Sequence, residues 1–488
     1  MPQESFLESF TATVGSIRGI LQHSESSEAL RRASLVYSLA KSAEKHPKLR
    51  EELRAGTLHE PLLRVFAAEV ATGNECFAHN IAASQLAMAQ VKLFMYFKPY
   101  WDGLEEHHAQ MWSEQYILRE GAAPGDTEKS QEGPDGQCAA NVLYSHARLL
   151  HTGVISAPAP ERLQEVFISG LMHSAAHMQA QSVALCCWAL GRQRMQFGKA
   201  RTHLTRAVHR VASAMDAPQV GNVFWGYAAC QEPLSEVAPA LIQRLVDIRD
   251  STDHERVLPK TVSLVVNGYA QLHRPSKAAS VSDDLRDEVL GTVAAVAVHF
   301  NCHEVAHTVG GLGKLQWQHG VALGPLRAAV DRSCDSMTHQ HVAMTLHGYC
   351  ESREDLGEST IGLIGRLVSL DVEGYVTPQS VVQAVVAYAQ LEATGNTVPL
   401  NYDGRHQLIS CVAKCARKLS VHQLVLVVSA LGKLQWEFGA ALRPLQQAVA
   451  ELPRVTGKNI HMLRKGFSHS QQPQGVAASV LAGRYARE

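Results

Sequence analysis

His303, Glu304 and His307 form a literal His-Glu-x-x-His run. On a helix, histidines four residues apart stand one turn from each other, so this run could hold Zn²⁺ between two imidazoles with the glutamate as general base. Such a site needs a third protein ligand, and the spacing denies it. Position 313, where one zinc-peptidase pattern puts a histidine, is Gly313; nineteen residues after His307, where another puts a glutamate, stands Leu326; the next carboxylate downstream is Asp331. Three further histidine groups, His107 with His108, His173 with His177 and His339 with His341, have at most a neighbouring acid such as Glu105, Glu106 or Asp335, and none shows a complete ligand spacing. The ten cysteines include adjacent Cys186 and Cys187 and the pair Cys411 and Cys415 but no C-x-x-C, and they read as small buried thiols. No phosphate loop, dinucleotide fingerprint or nucleophile elbow occurs. The expectation is a protein that binds rather than reacts, with no catalytic residue, no metal and no cofactor.

Val305, inside that run, belongs to a series. Val183, Val220, Val262, Val305, Val342, Val381, Leu424 and Ile460 follow one another at 37, 42, 43, 37, 39, 43 and 36 residues. Six residues after each of these anchors stands alanine or glycine: Ala189, Gly226, Gly268, Gly311, Gly348, Ala387, Ala430 and Gly466. One place further comes a bulky residue, Leu190, Tyr227, Tyr269, Leu312, Tyr349, Tyr388, Leu431 or Phe467. Offsets of zero, four and seven share one face of a 3.6-residue helix, whereas a strand needs period two. The small residue beside that face lets another helix approach closely, at a propensity cost of about 1 kcal/mol where it is glycine. Four residues before the anchor, Asp216, Asn301, Thr338, Thr377, Ser420 and Thr456 are N-capping types, and Asp216/Gln219, Asn301/Glu304 and Ser420/Gln423 have capping-box spacing.

A second helix follows in each unit. Gly313–Val330 and Gly432–Val449 are identical at 12 of 18 positions, and Gly191–Val208 keeps a fainter copy with Gly198, Ala200 and Leu204 in register. The sequence therefore predicts an all-α fold, an α-solenoid (superhelix) of helix-turn-helix repeats of about 36–43 residues. Residues 138–488 form the array of about eight to nine repeats, with a weaker copy around Ala139; residues 1–137 form an amino-terminal helical region with degenerate copies around Arg32 and Ile81, ending in a flexible acidic loop at 121–137. Residues 274–282 read as a shorter loop.

The capped helix, apolar anchor, small-then-bulky pair and Gly-Lys-Leu turn of residues 178–470 resemble the octotricopeptide and heptatricopeptide repeat proteins of organelles, and the repeat region of FAST-kinase-like proteins is similar. The resemblance implies RNA binding in mitochondria, or alternatively chloroplasts, as a transcript stability, processing or translation factor or as an rRNA-binding subunit of a mitochondrial ribosome. Members with a nuclease-like carboxy-terminal RAP domain run for dozens of residues past the last repeat; this chain ends at Glu488, so that domain is not expected. No arginine-rich presequence is visible before residue 25.

Composition restricts how such binding would work. The formal net charge is −1, so only local patches can attract a polyanion, and no apolar run reaches the ~20 residues of a membrane span. Residues 191–211 carry Arg192, Arg194, Lys199, Arg201, Arg206 and Arg210 without an acid; residues 401–488 hold twelve Lys/Arg, among them Lys433, Lys458, Arg464 and Lys465, against four Asp/Glu. Residues 101–136 are the reverse, nine acids against two bases. Five residues after each anchor the side chain varies freely, as Trp188, Trp225, Asn267, Gly310, His347, Val386, Ser429 and Lys465. A stacked array lines such positions into a stripe, as one-repeat-per-base readers do, and a solvated face gives the same pattern. The candidate RNA-binding set is thus Trp188, Arg192, Arg194, Lys199, Arg201, Arg206, Arg210, Trp225, Asn267, His347, Lys433, Lys458, Arg464 and Lys465. The expected partners are organellar RNA and ribonucleoprotein or ribosomal proteins, with no membrane and no small-molecule substrate. The competing reading is a protein–protein scaffold of the HEAT or armadillo kind, for which near-neutral charge is natural.

Overall fold

The computed structural model describes residues 136–151, 158, 161–235, 237–251, 257–273, 276–452 and 456–469. The degenerate copies around Arg32 and Ile81, the acidic stretch up to residue 135 and the carboxy-terminal residues 470–488 lie outside them. Gly136 and Gln137, read above as the end of a loop, are the first residues of a helix. The loop expected at 274–282 is non-helical throughout its described part, 276–282.

Seventeen α-helices and no strand occur among the described residues, an all-α helical-repeat solenoid. The first helices of the repeats are α1 (Gly136–His151), α3 (Ala180–Gln193), α5 (Ala217–Cys230), α7 (Pro259–His273), α9 (Cys302–Leu315), α11 (His339–Ser352), α13 (Pro378–Thr394), α15 (Val421–Lys433) and α17 (Gly457–His469). Between them run the second helices α2 (Glu161–Ser174), α4 (Arg201–Val211), α6 (Val237–Asp250), α8 (Asp283–Val296), α10 (Leu323–Ser333), α12 (Ser359–Val372), α14 (Tyr402–Cys415) and α16 (Leu442–Glu451). Two compact units divide the chain, Met1–Arg244 and Leu245–Glu488. In the first, α1 packs on α3 and α3 on α5; in the second, each odd-numbered helix from α7 to α17 packs on the next odd-numbered one.

The local reasons for each helix are those the sequence predicts. All eight anchors are buried, from Val183 at 0% exposure to Ile460 at 7%, and so are the eight bulky residues that follow them. Asp216, Asn301, Thr338, Thr377, Ser420 and Thr456 each accept a backbone N–H of the first turn, which satisfies a donor that a helix start otherwise leaves unpaired. The three capping boxes form, and Thr338 makes a fourth with His341.

The small residue after the anchor is where successive first helices touch. A Cβ on Gly226 would stand 2.1 Å from the carbonyl oxygen of Cys187, and one on Gly348 2.5 Å from that of Val309. A Cβ on Gly466 would stand 2.6 Å from the Val428 carbonyl oxygen. A second contact closes the same crossings: Gly191 faces Gly226, Gly313 faces Gly348 and Gly432 faces Gly466. Backbone thus packs directly on backbone, and any side chain there would wedge the repeats apart.

The turn between the two helices is a device repeated in both units. Arg194, Gln231, Gln316, Arg353 and Gln435 adopt left-handed backbone at φ 51–56°, and the matched Gly198, Gly320 and Gly439 do so at 45–50°. Each glycine opens a short 3-10 turn leading into the second helix.

Candidate nucleic-acid interface

At 100° per residue, offsets of −2, +2, +5 and +9 from the anchor fall within about 60° of each other, roughly opposite the buried anchor. These positions are partly or fully exposed throughout α3–α17, except Gly310, so each stack of first helices presents one continuous face.

In the amino-terminal unit this face is aromatic. Tyr144 of α1, Trp188 of α3 and Trp225 of α5 occupy the +5 position of three consecutive repeats, each partly exposed. The Tyr144 and Trp188 ring centroids are 5.2 Å apart, and those of Trp188 and Trp225 6.2 Å, the planes tilted by 46° and 31°. Nine residues after their anchors, Arg148 and Arg192 border the rings. The Arg192 guanidinium lies 5.8 Å from the Trp225 centroid, within cation–π range, and touches the imidazole of His151, which is 6.4 Å edge-on from Trp188. Burial and the nearby Arg148 charge both push the Arg192 pKa down.

In the carboxy-terminal unit the same face is polar, its side chains joined by hydrogen bonds and imidazole ring contacts. Lys314 Nζ donates to Asn267 Oδ1 at 3.4 Å, and Asn267 Nδ2 reaches His307 Nδ1 at 3.2 Å, linking α7 with α9. His307 and His303 rings lie 4.1 Å apart on α9, and His303 meets His341 of α11 edge-on at 5.5 Å. Separately, His339 Nδ1 to the buried Ser380 Oγ at 2.8 Å joins α11 with α13, and Gln423 Nε2 to Gln379 Oε1 at 2.6 Å joins α13 with α15. Burial, then the His303, His341 and Lys314 charges, push His307 down to about 4. His341 is lowered for like reasons and His339 by burial. The imidazoles of His307, His339 and His341 are therefore neutral hydrogen-bonding groups at neutral pH.

The His-Glu-x-x-His run sits on this face, and its glutamate is already engaged: Glu304 Oε2 accepts the Asn301 N–H at 2.9 Å as the capping box of α9. Among the described residues no group of three His, Cys, Asp or Glu side chains is arranged to hold a metal ion.

The other candidate residues divide by helix. Arg194 closes α3 in left-handed backbone with its side chain exposed, and Lys199 and Arg206 are exposed at the turn and on α4. Arg201 and Arg210 are exposed, but each is tied to a group of the fold. Arg201 Nε pairs at 2.6 Å with Glu232, whose side chain is 3% exposed and also accepts the Phe197 N–H. Arg210 Nη2 donates to the carbonyls of Ala175 and Met178 at 3.1 and 2.6 Å, which end the preceding second helix. The same staple recurs as Arg244 to Met215, Arg332 to Ala297 and Phe300, and Arg366 to Met337. It places a fixed cation on the orphan carbonyls of a helix end, where the helix dipole is negative. In the carboxy-terminal unit His347 faces Glu351 at 3.9 Å, and Lys433, Lys458, Arg464 and Lys465 are exposed on α15 and α17.

Sequence reasoning singled out Trp188, Trp225 and Arg192 but missed Tyr144, because the copy around Ala139 is degenerate although its +5 position is already aromatic. It also missed that Asn267, His303, His307, His341 and Lys314 form one group, since their offsets differ and only a rotation of the helix brings them together. A scan against protein-family models and a search of curated proteins return no match for the chain.

Proposed function

We propose that this helical-repeat protein binds single-stranded RNA along the exposed face of its first helices and performs no chemistry on it. The observation that carries the reading is the ladder of Tyr144, Trp188 and Trp225, one partly exposed ring per repeat at one register. Aromatic rings left in water at repeated positions cost hydration that a core would avoid, and unpaired bases are the ligand whose flat faces use them, at about 1–3 kcal/mol per base stacked. The partly or fully exposed polar group of Lys314, Asn267, His307, His303 and His341 supplies donors and acceptors suited to base edges. A setting in mitochondria, as an rRNA-binding ribosomal subunit or a transcript stability, processing or translation factor, rests on the octotricopeptide resemblance alone.

The test is filter binding of the purified chain to mixed single-stranded RNA at two salt concentrations. Contacts to several phosphates make log K fall linearly with log salt at about −0.7 per phosphate on a single strand. Binding that weakens steeply with salt supports the reading. No binding at low salt sinks it in favour of a protein–protein scaffold.

A further inference from the structure

The aromatic ladder has a cationic border whose purpose stacking alone does not explain. Arg192 makes no ion pair among the described residues, yet it is held against Trp225 and His151, with Arg148, at the equivalent position of the preceding repeat, near enough to disfavour its charge. A guanidinium partly withdrawn from water with no carboxylate paired to it is unfavourable in the empty protein, and a bound anion relieves that penalty. The anion must also suit the rings: Trp188 lies 6.2 Å from Trp225 and 6.4 Å from His151, so charge and aromatic surface are one nucleotide's width apart.

We propose that Arg192, with His151 beside it, is the phosphate subsite of a nucleotide whose base stacks on the exposed surface of Trp188 and Trp225. The proposal rests on the RNA-binding reading and adds the polarity of the site, base on the tryptophans and phosphate on the arginine side. The phosphate is either an internal diester or a terminal monoester, which share the doubly accepting oxygens that a planar guanidinium binds through two N–H groups.

The experiment is fluorescence anisotropy of the full chain with a short 3′-labelled oligouridine, titrated with salt, for the wild type, Arg192→Gln, Arg192→Lys and Arg443→Gln. Arg443 is exposed on α16, outside the site. Arg192→Gln is expected to weaken binding about five- to tenfold and to flatten the salt slope by about 0.7, the loss of one phosphate contact. Arg192→Lys keeps most of the slope while losing affinity through the lost stack, and Arg443→Gln changes neither. Repeating the titration with 5′-phosphorylated and 5′-hydroxyl oligonucleotides identifies the source: a preference of about tenfold for the phosphorylated end assigns a terminal monoester, equal affinity an internal diester, and either result is consistent with the subsite. Wild-type binding with an Arg192→Gln slope that does not move overturns the subsite and leaves the RNA reading standing. Displacement of the oligonucleotide by polyglutamate as readily as by unlabelled oligouridine, charge for charge, also overturns it, because no base is then being held. Failure of the wild type to bind at low salt overturns the reading and the subsite together.

Discussion

The two units build the same hairpin from the same parts and finish its exposed face differently. In both, backbone meets backbone at a glycine pair, Gly191 with Gly226 in one and Gly313 with Gly348 in the other. In both, a glutamate, buried in the first and half-buried in the second, accepts the N–H of the residue before the 3-10 turn that leads into the second helix: Glu232 from Phe197 at 3.0 Å, Glu354 from His319 at 2.7 Å. The outward positions of the first helices carry Tyr144, Trp188 and Trp225 in one unit and the chain Lys314–Asn267–His307–His303–His341 in the other. Frame residues are fixed because helices cannot otherwise approach; face residues point away from the helix crossings and are freer to differ. The difference predicts that the amino-terminal unit contributes sequence-tolerant affinity and the carboxy-terminal unit selectivity, since every base has a stacking face but base edges differ.

The contrast is broken most directly by removing each face in turn. Trp188→Ala with Trp225→Ala is expected to lower affinity for single-stranded RNA about 100-fold or more, at about 1–3 kcal/mol per stacked base, for oligouridine and oligoadenosine alike. Asn267→Ala with His307→Ala is expected to cost about tenfold or less in mean affinity while changing the ratio between the two oligomers. Competition binding with both oligomers measures it, and equal, composition-independent losses from the two double variants would erase the distinction.

The shared frame makes the opposite demand, that the units respond alike. Gly226→Ala and Gly348→Ala each force a methyl group within 2.5 Å of a carbonyl oxygen of the neighbouring helix. Each is expected to destabilise by about 2–3 kcal/mol, as overpacking against backbone does, with a lowered thermal midpoint in calorimetry. A neutral result at either site would mean that the repeats slide apart at little cost.

How much of this the chain shows before folding follows the same division. Anchors, caps and small-then-bulky pairs are legible because they obey helix periodicity and capping chemistry, which are local. Gly198, Gly320 and Gly439 are legible for the same reason, standing at one place in three copies of a turn that requires positive φ. The roles of Arg201 and Arg210 are not legible: a run of basic residues without an acid reads as a phosphate patch, and their partners, Glu232 and the carbonyls of Ala175 and Met178, are 31–35 residues away. The His-Glu-x-x-His run is the opposite case, because the capping-box spacing of Asn301 and Glu304 is local and already announces that Glu304 serves the cap of its own helix. Tyr144 lies between these cases, its period correct and its repeat too worn to announce it.

His319 separates the sister repeats by a single buried side chain. It is fully buried, with its ring edge-on to Tyr349 at 4.9 Å and Nε2 at 3.1 Å from Ser352 Oγ, whereas the equivalent residues of the two sister repeats are Phe197 and Phe438. Burial, with a smaller contribution from Arg327, pushes its pKa down to about 4. The folded state therefore refuses a proton that the unfolded chain, near 6.5, accepts. Stability is full above pH 6.5 and falls as the pH drops from 6.5 towards 4, by at most about 3.5 kcal/mol at roughly 1.4 kcal/mol per unit. His319→Phe should flatten that part of the pH–stability curve in urea titrations. A variant as acid-sensitive as the wild type would assign the acid response to other groups, such as His146 and His307, which burial also lowers to about 4.

The smallest expected effect probes the turn. Arg194 and Gln316 close α3 and α9 in left-handed backbone at φ 51° and 56°, a conformation that costs a residue with a Cβ about 1–2 kcal/mol relative to glycine. Replacement by glycine removes that strain but gives the unfolded chain more conformations to lose, so the net gain is expected to be about 0.5–1 kcal/mol for each. The pair has unequal consequences for binding. Arg194 is exposed at the end of the helix that carries Trp188, so Arg194→Gly removes a cation from the amino-terminal unit, whereas Gln316→Gly removes no charge. Equal stabilisation in denaturant titrations, with a shallower salt dependence of RNA affinity for Arg194→Gly alone, is the outcome that a common frame under two different faces requires.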